Sequence, residues 1–243
     1  MKALSNLLYH KSKTIIILFL ISISPLVNGQ INLENCTNNV RDTSIYEENV
    51  VGEPFQDVQM YLGKNFFNDG WYYGTLVPEN GEKIYNKLLN YHLLIHNLIW
   101  IRNSDHSLLI VKKEIIKEFI IPNDSGERSL FKKIKIQIWE KPDSVEEYLQ
   151  VLSQGYINLY AFRKSSIGQK SEKLIPDNYY YIQVNNGNIN RLKLSRRLLY
   201  SAVSGNNKLM KKIVRSNHLR IRREYALIKA VNLFNQEIKK AKD

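Results

Sequence analysis

A chain of 243 residues suffices for one large domain or two small ones, and its composition, 44% hydrophobic and 24% charged residues, excludes disorder over its whole length. The single cysteine, Cys36, excludes an intramolecular disulfide, so a packed core has to stabilise the fold. The formal net charge of +12 lies entirely in residues 189–243, which contain 15 basic and 3 acidic side chains, whereas residues 1–188 contain 20 of each. A charge field of this kind favours anionic partners.

The N-terminal residues 1–29 have the three zones of a secretory signal peptide. A start containing three lysines precedes the apolar run Thr14–Val27, which is followed by small and polar residues. A membrane-spanning helix needs about twenty apolar residues, so this shorter run predicts a signal that is cleaved after Gly29. An uncleaved membrane anchor is the alternative. Residues 30–55 are polar and irregular, and they are predicted to form a tail or linker.

Residues 56–141 are predicted to form a β-rich domain. The segment Trp71–Pro78 is rich in aromatic and β-branched residues, and the Asn80-Gly81 pair that follows is a turn signal. In Phe131–Ile138, isoleucine alternates with lysine or glutamine, which is the period of a half-buried strand. Five or six short strands at close spacing predict an antiparallel β-meander rolled into a small barrel or roll.

Residues 142–243 are predicted to form an α+β domain with a strand-hairpin unit and a basic three-helix C-terminal segment. Pro142–Leu149 carries capping and acidic residues typical of a helix N-terminus, so a short helix is predicted there. The Asn186-Gly187 pair between two strand-like runs is typical of a tight hairpin turn with positive φ at both central residues. The fold class is therefore predicted to be α+β. The predicted C-terminal helices are Arg196–Val203, Lys208–Ser216 and Glu224–Lys240.

Signatures of catalysis and of metal binding are not found in the sequence. His92 and His96 lie four residues apart with Asp105 and His106 nearby, but the surrounding residues predict a strand, where four residues span about 13 Å. Two histidines that far apart do not bind one zinc ion directly. The chain has no nucleophile motif and no glycine-rich phosphate loop. No catalytic, cofactor-binding or metal-binding residue is therefore predicted.

The basic C-terminal segment contains the candidate binding residues. Arginine holds phosphate in a two-pronged geometry, and several cations together attract polyanions. A solvated surface rich in lysine and arginine is the alternative interpretation. The candidate anion-binding residues are Lys208, Lys211, Lys212, Arg215, Arg220, Arg222 and Arg223.

Four stretches of the sequence carry a resemblance to a known group of proteins. They are the signal end Gly29-Gln30, GTLVPENGEKIY at Gly74–Tyr85, YYYIQVNNG at Tyr179–Gly187 and LMKKIVRSNHL at Leu209–Leu219. In these stretches the chain resembles a loose group of exported, signal-peptide-bearing envelope proteins of Gram-negative bacteria to which no activity is assigned. The resemblance implies a location and an architecture, and it assigns no reaction, ligand or site residue.

These features together predict an exported, non-enzymatic envelope protein with a binding or structural role, in the periplasm or at the outer-membrane or cell surface. The expected partner is an envelope protein or a cell-wall component. Peripheral contact with a membrane is a further expected interaction. Export argues against nucleic acid as the partner, and no cofactor is expected. Two alternatives stay open: an envelope enzyme with a composite active site, and binding of a polyanion or membrane surface through the basic helices.

Overall fold

Strands fill the first part of the folded chain and helices its last part. The computed structural model describes residues 52–56, 61–138, 143–168 and 173–241. The strands are β1 Gly52–Pro54, β2 Tyr72–Pro78, β3 Ile84–His92, β4 Asn97–Ile101, β5 Leu108–Val111, β6 Ile116–Pro122, β7 Arg128–Gln137, β8 Ser144–Ser153, β9 Ile157–Phe162, β10 Ser165–Ile167, β11 Leu174–Pro176, β12 Tyr179–Val184 and β13 Ile189–Leu192. The α-helices are α1 Arg196–Ala202, α2 Asn207–Ser216 and α3 Glu224–Lys240, with one turn of 3-10 helix at Ser204–Asn206. None of these helices combines the length and the apolar character that crossing a membrane requires.

Within the described ranges, eleven strands form one antiparallel sheet in the order β1-β5-β4-β3-β2-β6-β7-β8-β9-β12-β13, and β10 and β11 form a separate hairpin. The predicted α+β class with three C-terminal helices is confirmed. The predicted small barrel is wrong, because the sheet is open, with β1 at one edge and β13 at the other. Closure into a barrel requires the two edge strands to pair in register, and here each edge strand pairs with a single described neighbour.

Strand β8 replaces the short helix that the capping residues of Pro142–Leu149 predicted. It pairs with β7 over seven consecutive positions, and this register places Lys135 opposite Glu146. Opposite charges across a strand pair are favourable, and Tyr148 is a good strand former. The acidic residues that resemble a helix N-terminus therefore serve a strand, because the pairing partner overrides local propensity.

Of the predicted domain boundaries, one falls inside the sheet and the N-terminal ones lie wholly or partly outside the described residues. The boundary between residues 56–141 and 142–243 falls between β7 and β8, which lie side by side in the same sheet. The predicted signal peptide, residues 1–29, and residues 30–51 of the predicted linker lie outside the described residues. The division of the chain into domains stays a prediction.

The predicted hairpin is formed by β12 and β13. Its turn is closed by a hydrogen bond from the backbone N–H of Gly187 to the carbonyl oxygen of Val184, at 2.9 Å. The two central residues with positive φ are Asn185 at 48° and Asn186 at 57°. The left-handed pair therefore lies one position earlier than the Asn186-Gly187 pair indicated by the sequence, and asparagine tolerates this conformation better than most residues.

One core lies among strands β2 to β8 and contains a cluster of aromatic rings among aliphatic side chains. The rings of Phe119 and Phe131 stack with their centres 4.7 Å apart, and Tyr148 meets Phe119 edge-on at 5.0 Å. Tyr91 and Trp100 complete this cluster, and all five side chains are fully buried. Large aromatic side chains bury much apolar area each, so a few of them stabilise this half of the sheet.

Strand β9 is buried on both faces and thereby joins the sheet to the helices. Leu159 and Ala161 belong to the cluster that includes the helices, whereas Tyr160 and Phe162 belong to a third cluster that includes residues of β7 and β8. Alternate residues of a strand point to opposite faces, so a strand covered on both sides has a continuous apolar sequence. This accounts for the nearly uninterrupted apolar run of β9.

Helix α3 is attached to the start of β9 by the side-chain amide of Asn235. Its Oδ1 accepts a hydrogen bond from the backbone N–H of Ile157, and its Nδ2 donates to the carbonyl oxygen of the same residue, both at 2.8 Å. Its Nδ2 also lies 3.2 Å from Ser153 Oγ. At Gly155, where φ is 152°, a Cβ atom would lie 2.8 Å from the Asn235 amide. The close approach of turn and helix therefore requires glycine at this position.

Replacing Asn235 with alanine is expected to lower the free energy of unfolding by about 2 kcal/mol, because backbone groups of the buried Ile157 lose their hydrogen-bond partner. Asn232→Ala on the same helix is the matched control, since Asn232 is exposed. That change is expected to stay within about 0.5 kcal/mol. Urea unfolding followed by circular dichroism measures both, and equal losses in the two variants would contradict the attachment.

Candidate anion-binding site

An ion pair joins helix α3 to the sheet, between Arg163, just after β9, and Glu224, the first residue of α3. The guanidinium nitrogens Nη1 and Nη2 each donate to one carboxylate oxygen of Glu224 at 2.7 Å. The hydroxyl of Tyr180 on β12 donates to the same carboxylate at 2.6 Å. The Arg163 side chain is 12% exposed. A two-pronged, partly buried pair of this kind has a defined geometry, so it orients the first turn of α3 against the sheet.

The ion pair extends into the sheet through a short chain of polar side chains. Arg163 Nε donates to Gln150 Oε1 at 2.6 Å, and Gln150 Nε2 donates to Ser129 Oγ at 3.0 Å. The chain thus links α3 through β9 and β8 to β7. Buried polar groups of this kind are stable when each has a partner.

Burial and pairing act in opposite directions on the Glu224 carboxyl. Burial raises its pKa, but the hydrogen bonds and positive charge of Arg163, together with the Tyr180 hydroxyl, outweigh burial and hold the pKa of Glu224 below its usual value. Burial and the carboxylate also raise the pKa of Tyr180 well above its usual value. Glu224 is therefore charged and Tyr180 is protonated at neutral pH.

Helix α2 presents four of the predicted cations along one side. Met210, Ile213 and Val214 of this helix are buried in the core, so the opposite side of the helix faces outward. The four cations have the spacing i, i+3, i+4 and i+7, which places them on one side of a helix. We call them the basic stripe: Lys208, Lys211, Lys212 and Arg215. All except the half-buried Lys211 are exposed.

The other three predicted residues lie in the connection between α2 and α3. Arg220, Arg222 and Arg223 are exposed, while Leu219 and Ile221 between them are 5% and 1% exposed. The alternation of buried leucine and isoleucine with exposed arginine anchors the connection to the core. The structure therefore places all seven predicted residues on the helical side of the sheet, in two groups.

A cleft between α1 and α2 adds two arginines that were not among the predicted residues. It has a volume of about 600 Å³ and is lined by Arg196, Arg197, Tyr200, Ser201, Asn207 and Lys211. The guanidinium of Arg196 donates to the carbonyl oxygen of Leu219 at 3.0 Å. The ammonium of Lys211 lies 5.8 Å from the centre of the Tyr200 ring. Three cations and one aromatic side chain therefore line the same cleft.

The basic residues on the helical side of the sheet have no acidic neighbours nearby in the sequence. Residues 189–223 contain eleven basic side chains and no Asp or Glu. The next two acids are already paired, Glu224 with Arg163 and Glu237 with Lys240. Of the ion pairs formed within the described part of the chain, none includes the basic stripe or the cleft arginines. The positive field is therefore available to a ligand.

The histidines considered for metal binding occupy structural positions. His92 ends β3 and His96 lies in the following turn at φ 54°, so the two do not share one strand as the sequence predicted. The Nδ1 atom of His92 accepts hydrogen bonds from the backbone N–H groups of Leu94 and Ile95, each at 3.3 Å. In the described ranges, no three His, Cys, Asp or Glu side chains are grouped so that they could hold a metal ion.

Asp105 and His106, the other two residues considered for metal binding, lie in the turn between β4 and β5. The carboxylate of Asp105 pairs with the guanidinium of Arg102 at 2.7 Å. Hydrogen bonds from Arg102 and Ser107 hold the pKa of Asp105 far below its usual value. Pairing with Arg102 therefore gives Asp105 a structural role in this turn.

Comparisons with known proteins add no relative. No protein-family model matches the chain. The comparisons with curated proteins and with solved structures likewise found no match. The resemblance to exported envelope proteins therefore stays a prediction.

The Arg163–Glu224 pair is expected to make stability depend on acid pH. A carboxylate with a lowered folded-state pKa stabilises the fold above its unfolded-state pKa of about 4.3, and this contribution is lost as pH falls through the folded-state pKa. Glu224→Gln should therefore be less stable than the native protein near neutral pH, and the difference should shrink as pH falls below the unfolded-state pKa. Urea unfolding at several pH values measures it.

Glu237→Gln is the matched control for this prediction. It removes a carboxylate from the same helix, but one that is paired with the exposed Lys240, and exposed pairs contribute little. A stability difference between native protein and Glu224→Gln that is constant with pH would contradict the assigned role of the pair.

Proposed function

We propose that this protein is an exported, non-enzymatic envelope protein that binds an anionic membrane surface through its helical side. The observation that carries the proposal is the basic stripe, which is aligned by helix periodicity in a segment of eleven cations without one acid. Juxtaposed cations on a folded surface repel one another, so their accumulation has an energetic cost that a bound polyanion offsets. Phospholipid headgroups are such a polyanion in the envelope.

The use of arginine supports phosphate as the group that is bound. Seven of the eleven arginines of the chain lie between Arg191 and Arg223. Solubility alone does not call for arginine, since lysine carries the same charge. Arginine differs in its planar fork of N–H donors, which matches two phosphate oxygens.

Two exposed apolar side chains favour a membrane surface over an acidic protein. Leu198 on α1 is 42% exposed and Tyr225 on α3 is 59% exposed. Leu198 directly follows Arg197, and Tyr225 lies two residues after Arg223. At a lipid surface, apolar side chains enter the headgroup region while neighbouring cations stay with the phosphates.

The triple variant Lys208→Ala, Lys212→Ala and Arg215→Ala is expected to bind vesicles of phosphatidylglycerol and phosphatidylcholine on the order of 100-fold more weakly than the native protein. The reason is that each cation near an anionic surface contributes about 1 kcal/mol. Vesicle co-sedimentation measures this, and native binding should fall as salt rises from about 50 to about 300 mM. Vesicles of phosphatidylcholine alone should bind neither protein.

The matched control removes the same amount of positive charge from the β-rich part of the protein, away from the helices. Lys83, Lys117 and Lys135 are exposed residues of the β-rich part, and their triple alanine variant should bind like the native protein. Binding that is insensitive to salt, or equal loss in both triple variants, would exclude a specific basic surface.

Export is supported by the signal-peptide pattern of residues 1–29, and it has its own test. Fractionation of cells that express the tagged protein is expected to recover it outside the cytoplasm, with Gln30 as the first residue by N-terminal sequencing. Intact protein starting at Met1 in the cytoplasm would overturn the envelope location, and the basic helices would then have to be tested with nucleic acid.

A further inference from the structure

A groove lined by side-chain amides lies beside the attachment of α3 to the sheet. It has a volume of about 620 Å³ and lies among the β8–β9 turn, the β12–β13 turn and the C-terminal half of α3. Of the ten described residues that line it, six are amides: Gln154, Asn185, Asn186, Asn232, Asn235 and Gln236. A cavity of this size is in the range of small-molecule sites.

The backbone around the amide groove is held in place by specific contacts. Asn235 uses both atoms of its amide to bind the backbone of Ile157, so it forms part of the wall. The backbone N–H of Asn185 donates to the carbonyl oxygen of Tyr156 at 2.7 Å, which joins the two turns. Asn185 and Asn186 are set in the left-handed region. The amides therefore project from fixed positions, as preorganised binding requires.

Four exposed amides of the groove are directed to ligand or solvent. The side chains of Gln154, Asn186, Asn232 and Gln236 make no hydrogen bond to any part of the chain that the structure describes, and all four are exposed. Each amide offers an oxygen acceptor and an NH₂ group with two donors. A surface of this kind fits a ligand whose own groups both donate and accept.

The charge of the groove limits the chemical class of the ligand. Among the described residues that line it, Lys239 is the one charged residue, and none is Asp or Glu. A polyphosphate or an acidic polymer would be bound by several cations, and a cationic ligand would be bound by carboxylates. The lining therefore matches an uncharged ligand rich in hydroxyl groups, since a hydroxyl both donates and accepts.

Tyr156 supplies an apolar surface within the same groove. It is partly buried, and its ring centre lies 6.1 Å from that of the core residue Phe234. Packing against a core ring gives the phenol a fixed orientation. A sugar ring has an apolar C–H face and a rim of hydroxyls, so it can contact an aromatic face and several amides together.

We propose that the amide groove binds a segment of neutral oligosaccharide, with Asn232 and Gln236 on α3 donating to and accepting from its hydroxyl groups. An extended peptide is the less suitable ligand, since peptides are bound by the regular backbone groups of a strand edge. The groove instead presents amides from two turns and one helix. This site is separate in its residues from the basic stripe and does not depend on the membrane proposal.

The test is isothermal titration calorimetry of the full-length protein with three neutral hexasaccharides: cellohexaose, maltohexaose and chitohexaose. At least one is expected to bind with a dissociation constant at or below about 1 mM. Binding should weaken roughly tenfold in the double variant Asn232→Ala and Gln236→Ala, because removal of both amides leaves ligand hydroxyls unpaired. Both residues are exposed, so the variant is expected to fold like the native protein.

The triple variant of the basic stripe is the matched control, and it should bind the hexasaccharide like the native protein. Conversely, the double amide variant should bind anionic vesicles normally, which separates a failure of this proposal from a failure of the membrane proposal. Absence of heat with all three hexasaccharides at about 10 mM, or equal binding by the double amide variant, overturns the amide groove as a glycan site.

Discussion

The two-pronged contact between Arg163 and Glu224 connects the two parts of this molecule. It joins the end of β9 to the first residue of α3, and the Tyr180 hydroxyl adds a third bond to the same carboxylate. Partial burial of two charges has a desolvation cost that good geometry has to offset. What such a pair supplies is orientation. Because α3 begins at this point, the connection from α2 and the cations that it carries are positioned by the same contact.

The pair also affects the electrostatics of the helical side. The segment from residue 189 to 223 has eleven cations and no acid, and the first acid after it, Glu224, is bound to Arg163 of the sheet. Glu237 is bound to Lys240 at the other end of α3. The carboxylates closest in sequence to the basic stripe are thus used in structural contacts. An uncompensated positive surface is the direct result, and long-range attraction of anions follows from it.

The helical side therefore presents two surfaces of contrasting chemistry. The basic stripe and the α1–α2 cleft offer charge, which acts over a distance and is screened by salt. The amide groove offers short-range, directional hydrogen bonds beside an aromatic ring. An envelope protein that contacts both a lipid surface and a neutral glycan would need both kinds of surface. The aromatic core of β2 to β8 stabilises the half of the sheet that carries neither the basic surface nor the amide groove.

Local features of the sequence determined the charge asymmetry, the α+β class, the hairpin and the three C-terminal helices, because each depends on residues close together in the chain. The alternation in Phe131–Ile138 likewise predicted strand β7. The tertiary structure alone decided that Ser144–Ser153 is a strand, because pairing with β7 outweighs the capping signals there. It alone decided that the sheet stays open, since closure depends on whether distant edge strands meet. Arg196 and Arg197 join the candidate site, and the amides gather around Tyr156, through packing between segments far apart in sequence, which local patterns do not encode.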